Sequence, residues 1–318
     1  MRNLVAIGGG TGLSILLAGL KDRFFVTAVV TVGDNGGGSG ILREDLNMLP
    51  PGDIRNCLLA LSEAPQDLQG LLNYRFTNGN LAGQSLGNLM IAGMTEEYGS
   101  FRKGVAVLSN VLKLKGLVLP VSSSAMDLVA RLSDGAIIHG ESEIALEAHA
   151  HGAKIEELYL KEEVPLLDEV VEAIEKAEAV VLGPGSLYTS VIANLLVGDM
   201  ASLLSQKKII YVCNVMTQKE ETAGFSVGDH VREVERYLNR PVDFVFANGK
   251  IPDEESLKPY REEGAMPVLL PEEEKSLLGN RLITGEFLEV KKGYIRSAAN
   301  RIAERLVELI EDESIFTR

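Results

Sequence analysis

Residues 3–20, NLVAIGGGTGLSILLAGL, decide the fold. The apolar residues 3–7 have the length of a buried strand, and LSILLAGL after the glycines has apolar residues at helical spacing. Residues 26–32, VTAVVTV, are rich in β-branched residues and predict a second strand that is covered on both faces. This strand–helix–strand unit is typical of α/β proteins, and a glycine-rich loop follows each of its strands.

The same pattern recurs in the second half of the chain. Residues 179–182 predict a buried strand that runs directly into Gly183-Pro184-Gly185-Ser186, and residues 208–213 and 242–247 predict two more buried strands. Strands that alternate with helices favour an α/β fold with a doubly wound, mostly parallel, Rossmann-like sheet and helices on both faces.

The middle of the chain departs from this alternation. Roughly four helices in succession are predicted after Pro51, and residues 116–160 contain short strand-like runs with Asp134-Gly135 as a hairpin turn. We therefore predict one Rossmann-like domain over residues 1–318, with a small antiparallel β subdomain inserted at 116–160. Residues 252–275 are acidic and punctuated by prolines, and residues 297–311 predict a closing amphipathic helix.

Composition and charge exclude several classes of function. The 318 residues carry a net charge of −14 with no basic patch of useful size, so nucleic acid is not expected as a partner. Cys57 and Cys213 both lie in apolar runs, as buried thiols in a reducing cytosol do. The apolar start of the sequence is too short for a signal peptide or a membrane span, so we expect neither. We expect a cytoplasmic protein that forms a homo-oligomer.

The first glycine loop is a candidate phosphate site. Gly9, Gly10, Thr11 and Gly12 follow a strand and open a helix, where backbone N–H groups and the helix dipole favour an anion. The dinucleotide fingerprint is incomplete, because its third glycine would fall at Leu13, and no P-loop Gly-Lys-Ser/Thr follows. The alternative is a tight turn that binds nothing.

The second loop, residues 33–40, should lie beside the first. Asp34 follows the second strand and could accept hydrogen bonds from ribose hydroxyls or hold a hard cation. A flexible surface loop is the alternative. Asp53 lies at a helix start together with Arg55, where ordinary helix capping would also explain an acidic residue.

A third polar set follows the later strands. Gly185 and Ser186 form a second anion-type turn, so that two loops could hold two phosphates of one ligand. Asn214 and Thr217, after the next strand, suit a base or a sugar. Tyr260 could stack on a base, and Arg296 could bind phosphate, but surface packing explains both equally well.

Six motifs, in order and over nearly the whole chain, resemble one family. They are GGGTGLSILLAGL, VTVGDNGGGSGILR, PPGDIRNCLLAL, SLGNLMIAG, GPGSLYTSVIANLLV and YVCNVMTQKEET. They resemble the YvcK-like gluconeogenesis factors, which are related to the 2-phospho-L-lactate transferases of coenzyme F420 synthesis.

The resemblance implies a Rossmann-like nucleotide site that binds UDP-sugars such as UDP-N-acetylglucosamine, whereas an NAD-like dinucleotide is suggested by the glycine turn alone. It also implies a role in cell shape and peptidoglycan synthesis on gluconeogenic carbon sources, with cell-wall or morphogenesis proteins as partners. In the transferase branch, Asp34 and Asp53 would hold Mg²⁺. The residues carried over to the cofactor site are Gly9, Gly10, Thr11, Gly12, Asp34, Asn35, Ser39, Asn56, Asn88, Gly185, Ser186, Asn214, Thr217, Tyr260 and Arg296.

The second loop departs from the family pattern, A-D-D-G-G-S-S-G-R. Asn35 replaces the second aspartate and Ile41 replaces the arginine. Both changes weaken metal-dependent transfer more than ligand binding, because they remove a negative charge and a phosphate partner. Three hypotheses follow: a nucleotide-sugar-binding regulator without turnover, a Mg²⁺-dependent transferase acting on a phosphorylated small molecule, and an NAD-dependent redox protein.

Overall fold

The structure is a computed structural model that describes residues 1–291 and 293–312. Its strands are β1 (Asn3–Gly8), β2 (Phe25–Val30), β3 (Leu117–Pro120), β4 (Leu128–Leu132), β5 (Ile137–His139), β6 (Ile155–Leu160), β7 (Ala179–Leu182), β8 (Lys208–Val212), β9 (Phe244–Asn248), β10 (Leu282–Gly285), β11 (Leu288–Lys291) and β12 (Tyr294–Ser297).

The α-helices are α1 (Gly10–Leu20), α2 (Gly37–Leu46), α3 (Gly52–Leu61), α4 (Gln66–Asn73), α5 (Leu86–Tyr98), α6 (Phe101–Val111), α7 (Glu141–His151), α8 (Asp168–Lys176), α9 (Ala193–Leu195), α10 (Met200–Leu204), α11 (Val227–Leu238), α12 (Glu254–Glu262), α13 (Glu272–Leu278) and α14 (Ala299–Glu311). A π-helical turn, Leu187–Ile192, precedes α9.

A seven-stranded parallel sheet forms the centre of the described residues, in the order β10-β9-β8-β7-β1-β2-β3. The chain runs outward from β1 through β2 to β3, and later continues on the other side of β1 with β7, β8, β9 and β10. The order therefore reverses between β1 and β7. This reversal opens a crevice at the carboxyl ends of the two strands, which is where ligands bind in sheets of this type.

The predicted Rossmann-like α/β fold is confirmed, and apolar packing explains it. In β1, the side chains from Leu4 to Ile7 are at most 1 % exposed, because helices cover both faces of the sheet. Leu13, Leu16 and Leu17 of α1 are completely buried. Each such leucine stabilises the fold by about 1.5–3 kcal/mol relative to an exposed position, so the helix that begins at the glycine turn is held firmly on the sheet.

The inserted β-rich region is narrower than predicted. An antiparallel sheet in the order β5-β4-β6, with α7, spans residues 128–160, and Asp134-Gly135 forms the expected hairpin turn between β4 and β5. Residues 117–120, which we place in the insertion, instead form β3 of the large sheet, because the outer edge of β2 offers backbone hydrogen bonds to a parallel strand. The single-domain organisation stays a prediction.

The C-terminal part adds two features that the sequence did not predict. β10 joins the large sheet beside β9, and β11 and β12 form an antiparallel hairpin. A small apolar cluster, separate from the main core, joins α12, the hairpin and the segment after β8; its buried members are Val215, Met216, Leu257, Leu288 and Ile295. None of the described helices is long and apolar enough to cross a membrane.

Candidate functional site

A cleft of about 760 Å³ opens at the reversal point of the sheet. The turns after β1 and β7 form its floor, the segment after β8 forms one wall, and α12 with β12 closes it from above. Ten of the predicted residues line it: Gly9, Gly10, Thr11, Gly12, Gly185, Ser186, Asn214, Thr217, Tyr260 and Arg296. Residues from five separate segments therefore meet in one place.

The two glycine turns pack directly against each other. A Cβ atom on Gly12 would lie 2.6 Å from the carbonyl oxygen of Pro184, so only glycine fits there. Gly10, the first residue of α1, has a φ of +65°, which a residue with a side chain adopts at a cost. Gly9, at the N-cap position of α1, has no side chain that could cap the helix, and the Gly10 amide is bonded instead by the Asp53 carboxylate.

Asn214 holds the second turn in place. Its Oδ1 accepts a hydrogen bond from the Gly185 amide at 3.1 Å, and its Nδ2 donates to the Gly185 carbonyl at 2.7 Å. The Gln218 Nε2 donates to the Ser186 hydroxyl at 2.9 Å. Asn214, which we predict to contact the ligand, and Gln218 thus already hold the turn that would receive the ligand.

Hydrogen bonds join α12 to β12, and join the segment after β8 to the segment after α12. The hydroxyl of Tyr260 donates to the Ile295 carbonyl at 3.2 Å and accepts from the Ile295 amide at 2.8 Å. The Thr217 hydroxyl accepts from the Met266 amide at 2.9 Å. Tyr260 therefore fixes β12, the strand that carries Arg296.

Arg296 is exposed and lies over the ring of Tyr294, with 5.4 Å from the guanidinium carbon to the ring centre. It forms no ion pair with any residue that the structure describes. Its charge is therefore available to an anion in the cleft. Lys219 also lines the cleft, with its ammonium 4.0 Å from the Glu220 carboxylate.

Carboxylates lie on the β2 side of the first turn. Asp53 accepts a hydrogen bond from the Gly10 amide at 2.6 Å. Burial raises the pKa of Asp53 to about 6, and the nearby Asp34 contributes to the rise. Asp34 itself accepts from the Gly36 amide at 2.8 Å. The two predicted metal candidates are thus neighbours, beside the cleft rather than in its lining.

Two further carboxyl groups lie near this pair. Burial raises the pKa of Glu141 to about 7, with Asp34, Glu221 and Asp53 adding to the rise by repulsion. Burial also raises the pKa of Glu221, which accepts hydrogen bonds from the Thr189 hydroxyl at 2.6 Å and from the Tyr188 amide at 2.8 Å. This side of the crevice is therefore rich in carboxyl groups.

Four more predicted residues lie outside the cleft lining, in addition to Asp34 and Asp53. Asn35 bonds to the start of α7, donating to Glu143 at 2.8 Å and accepting from the Ser142 amide at 2.9 Å. Ser39 is buried in the first turn of α2. Asn56 and Asn88 accept hydrogen bonds from one buried guanidinium, that of Arg55, at 2.8 and 2.9 Å. As ligand contacts, the four stay predictions.

Sequence reasoning missed three charged residues of the site. Lys219 could have been found, because it lies in the polar run after β8, two residues after Thr217. Glu221 lies in the same run, two residues after Lys219, whereas Glu141 carries no local signal, since it reaches the site from α7. Their grouping depends on tertiary structure alone.

The strand order and the paired glycine turns define a class, the Rossmann-like α/β proteins whose ligand crevice lies where the strand order reverses. The model of the 2-phospho-L-lactate transferase CofD family matches residues 4–288 of the chain. The chain belongs to this family.

Individual relatives are similar over nearly the whole chain. The gluconeogenesis factor of Halalkalibacterium halodurans is 42% identical over 314 residues, covering 96% of each chain. That of Bacillus subtilis is 40% identical, covering 97% of this chain and 98% of the relative. The crystal structure of protein BH3568 from Bacillus halodurans matches with a TM-score of 0.92 and 41% identity, covering 96% of this chain and 99% of that one. The predicted resemblance is confirmed.

Proposed function

We propose that this protein binds a nucleotide sugar of the UDP-N-acetylglucosamine type in the cleft and acts as a regulator rather than by turnover. The observation that carries the proposal is the pair of glycine turns that meet at the reversal point, on the floor of a cleft of about 760 Å³. A cleft of this size matches the usual volume of small-molecule sites.

Charge supports an anionic ligand despite the acidic chain. The net charge is −14, yet the cleft presents the amino end of α1 together with Lys219 and Arg296. Backbone amides and helix ends bind phosphate without requiring a basic protein. A diphosphate that lies across both turns would place its nucleoside against Thr217 and Tyr260, on the β8 side of the cleft.

The proposed cellular role follows the relatives. Proteins named gluconeogenesis factors match nearly the whole chain, and the family resemblance implies a function in cell shape and peptidoglycan synthesis on gluconeogenic carbon sources. We place the protein in the cytoplasm, where nucleotide sugars are made, with cell-wall or morphogenesis proteins as its partners and a homo-oligomer as its assembly. A regulator of this kind would report the supply of cell-wall precursor.

A Mg²⁺-dependent transferase of the 2-phospho-L-lactate type is the second candidate, favoured by the family match. Mg²⁺ is usually held by one or two carboxylates together with substrate phosphates and water. Asp34 and Asp53 fit that requirement, since they are neighbours beside the first turn. Among residues 1–291 and 293–312, no three His, Cys, Asp or Glu side chains are grouped to hold a metal ion without such a ligand. A bound Mg²⁺ would neutralise the phosphates, while the two aspartates would orient it.

Calorimetric titration tests the proposal. UDP-N-acetylglucosamine, UDP, GTP and NAD are titrated separately, each with and without Mg²⁺. We expect uridine nucleotides to bind, and Arg296→Met to weaken binding about tenfold or more, as loss of a charged phosphate contact does. Arg232→Met, at an exposed arginine of α11, is the matched control. If none of the four nucleotides binds, the proposal is wrong. Binding only of GTP with Mg²⁺, with turnover, would favour the transferase, and binding only of NAD would favour the redox hypothesis.

A further inference from the structure

An amide at the start of α1 is already occupied by an anion of the protein itself. The Gly10 N–H donates to Oδ2 of Asp53 at 2.6 Å. The same oxygen lies 2.7 Å from the position that a Cβ atom on Gly9 would take. The carboxylate is therefore held against the glycine turn, and the missing side chain of Gly9 gives it room.

No cation of the described chain pairs with this carboxylate. Arg55 is two residues further along α3, but its guanidinium donates to the oxygens of Ser85, Asn88 and Asn56 and only attracts Asp53 from a distance. Asp34 adds a second negative charge nearby. The charge of Asp53 is thus balanced mainly by the Gly10 amide and the end of the helix.

We infer that Asp53 competes with the phosphate of the ligand for the amino end of α1 and so limits the affinity for charged nucleotides. The inference rests on the proposed function, because it concerns the same site. In the ligand-free protein, the carboxylate takes the place that a phosphate oxygen would take at Gly10. An incoming phosphate must bind the other amides of the turns beside a negative charge, or displace the carboxylate.

The competition has a chemical signature. It penalises ligands in proportion to the charge that they bring to the turn, and leaves an uncharged ligand unaffected. UDP and uridine share the base and the ribose, so the ratio of their affinities isolates the phosphate contribution. Asp53→Asn removes the charge but keeps an oxygen that can accept from Gly10, whereas Asp53→Ala removes both.

The experiment measures the dissociation constants of UDP and uridine by calorimetry, in EDTA, for the wild-type protein and both variants. The carboxylate and a phosphate would be like charges a few ångströms apart at a partly screened site, so we expect Asp53→Asn to bind UDP about tenfold more tightly than the wild type. Asp53→Ala should gain at least as much affinity for UDP. Neither variant should change the affinity for uridine. Asp34→Asn is the comparison, with a smaller gain, because Asp34 does not bond to the Gly10 amide. Urea unfolding verifies that each variant is folded.

Each outcome decides a different claim. A gain for UDP alone supports the competition. If UDP binds the wild-type protein and neither Asp53 variant binds it more tightly, the competition is wrong while the proposed function survives. If uridine gains as much as UDP, the effect is not one of charge and the inference also fails. If no variant binds UDP or the nucleotide sugar, the proposed function fails and the inference fails with it.

Discussion

The side chain of Asn214 is the point at which one substitution should change both folding and binding. Its amide accepts from the Gly185 N–H and donates to the Gly185 carbonyl. Asn214→Ala removes both hydrogen bonds and leaves the second glycine turn without its lateral support. Since Gly185 is partly exposed, water can replace some of what is lost.

The loss of stability in Asn214→Ala can be estimated from these two hydrogen bonds. Each contributes about 0.5–1.5 kcal/mol to folding, and partial hydration of Gly185 reduces the sum, so we expect a loss of about 1–2 kcal/mol in the free energy of unfolding. A turn that is no longer held must be ordered when the ligand binds. A cost of about 1.4 kcal/mol corresponds to a tenfold weaker affinity, and we expect a loss between about threefold and tenfold for UDP-N-acetylglucosamine.

Asn214→Asp sharpens the test. It has the same shape and still accepts from the Gly185 amide, but it turns an oxygen towards the Gly185 carbonyl. We expect it to destabilise the protein more than alanine does. Urea unfolding gives the stability and calorimetry the affinity, with Asn73→Ala, at an exposed residue that ends α4, as the matched control. Alanine and aspartate variants as stable as the wild type would refute the supporting role of Asn214.

Three other substitutions test separate parts of the site. Glu141→Gln should leave the free energy of unfolding unchanged at pH 4 and raise it by about 1–3 kcal/mol at pH 8, measured by urea unfolding. The reason is that burial and the nearby Asp34 raise the pKa of Glu141 to about 7 on folding, so its ionisation costs stability as pH rises from about 4.5 to 7. Equal gains at both pH values would contradict this. Gly12→Ala should weaken nucleotide binding at least tenfold by calorimetry, because its Cβ would force Pro184 away; unchanged affinity would show that the turns are not packed as described. Tyr260→Phe should keep the ring but release the hairpin, speeding amide exchange in β12 while exchange in β1 stays as it was.

The sequence predicts the sheet well because its signals are local. Residues 179–182 form the predicted strand residue for residue, and the glycine turns follow β1 and β7 as expected. β10 was missed because residues 282–285 form a short, partly exposed edge strand without a long apolar run. The hairpin β11–β12 was missed because it packs on residues distant in sequence.

For the candidate site, too, local signals predicted which residues lie there, whereas their long-range contacts could not be predicted. Residue type and position after a strand placed Asn214 correctly in the cleft, but its role could not be predicted, since its partner Gly185 lies 29 residues earlier. Asp53 was predicted to be a metal ligand or a helix-capping residue. Its hydrogen bond with the Gly10 amide depends on how α3 packs beside α1, which the sequence does not show. Glu141 joins the site only through the insertion. Long-range packing decides these relations, and no local pattern encodes them.

The small apolar cluster under the hairpin has a consequence for the kinetics of binding. Its five buried residues are separate from the main core, so α12 and the hairpin can detach while the large sheet stays intact, at a fraction of the free energy of global unfolding. If the cleft binds a nucleotide as proposed, we expect ligand entry and release to depend on this partial opening. The residence time of a bound nucleotide should therefore follow the stability of the cluster more closely than that of the whole protein.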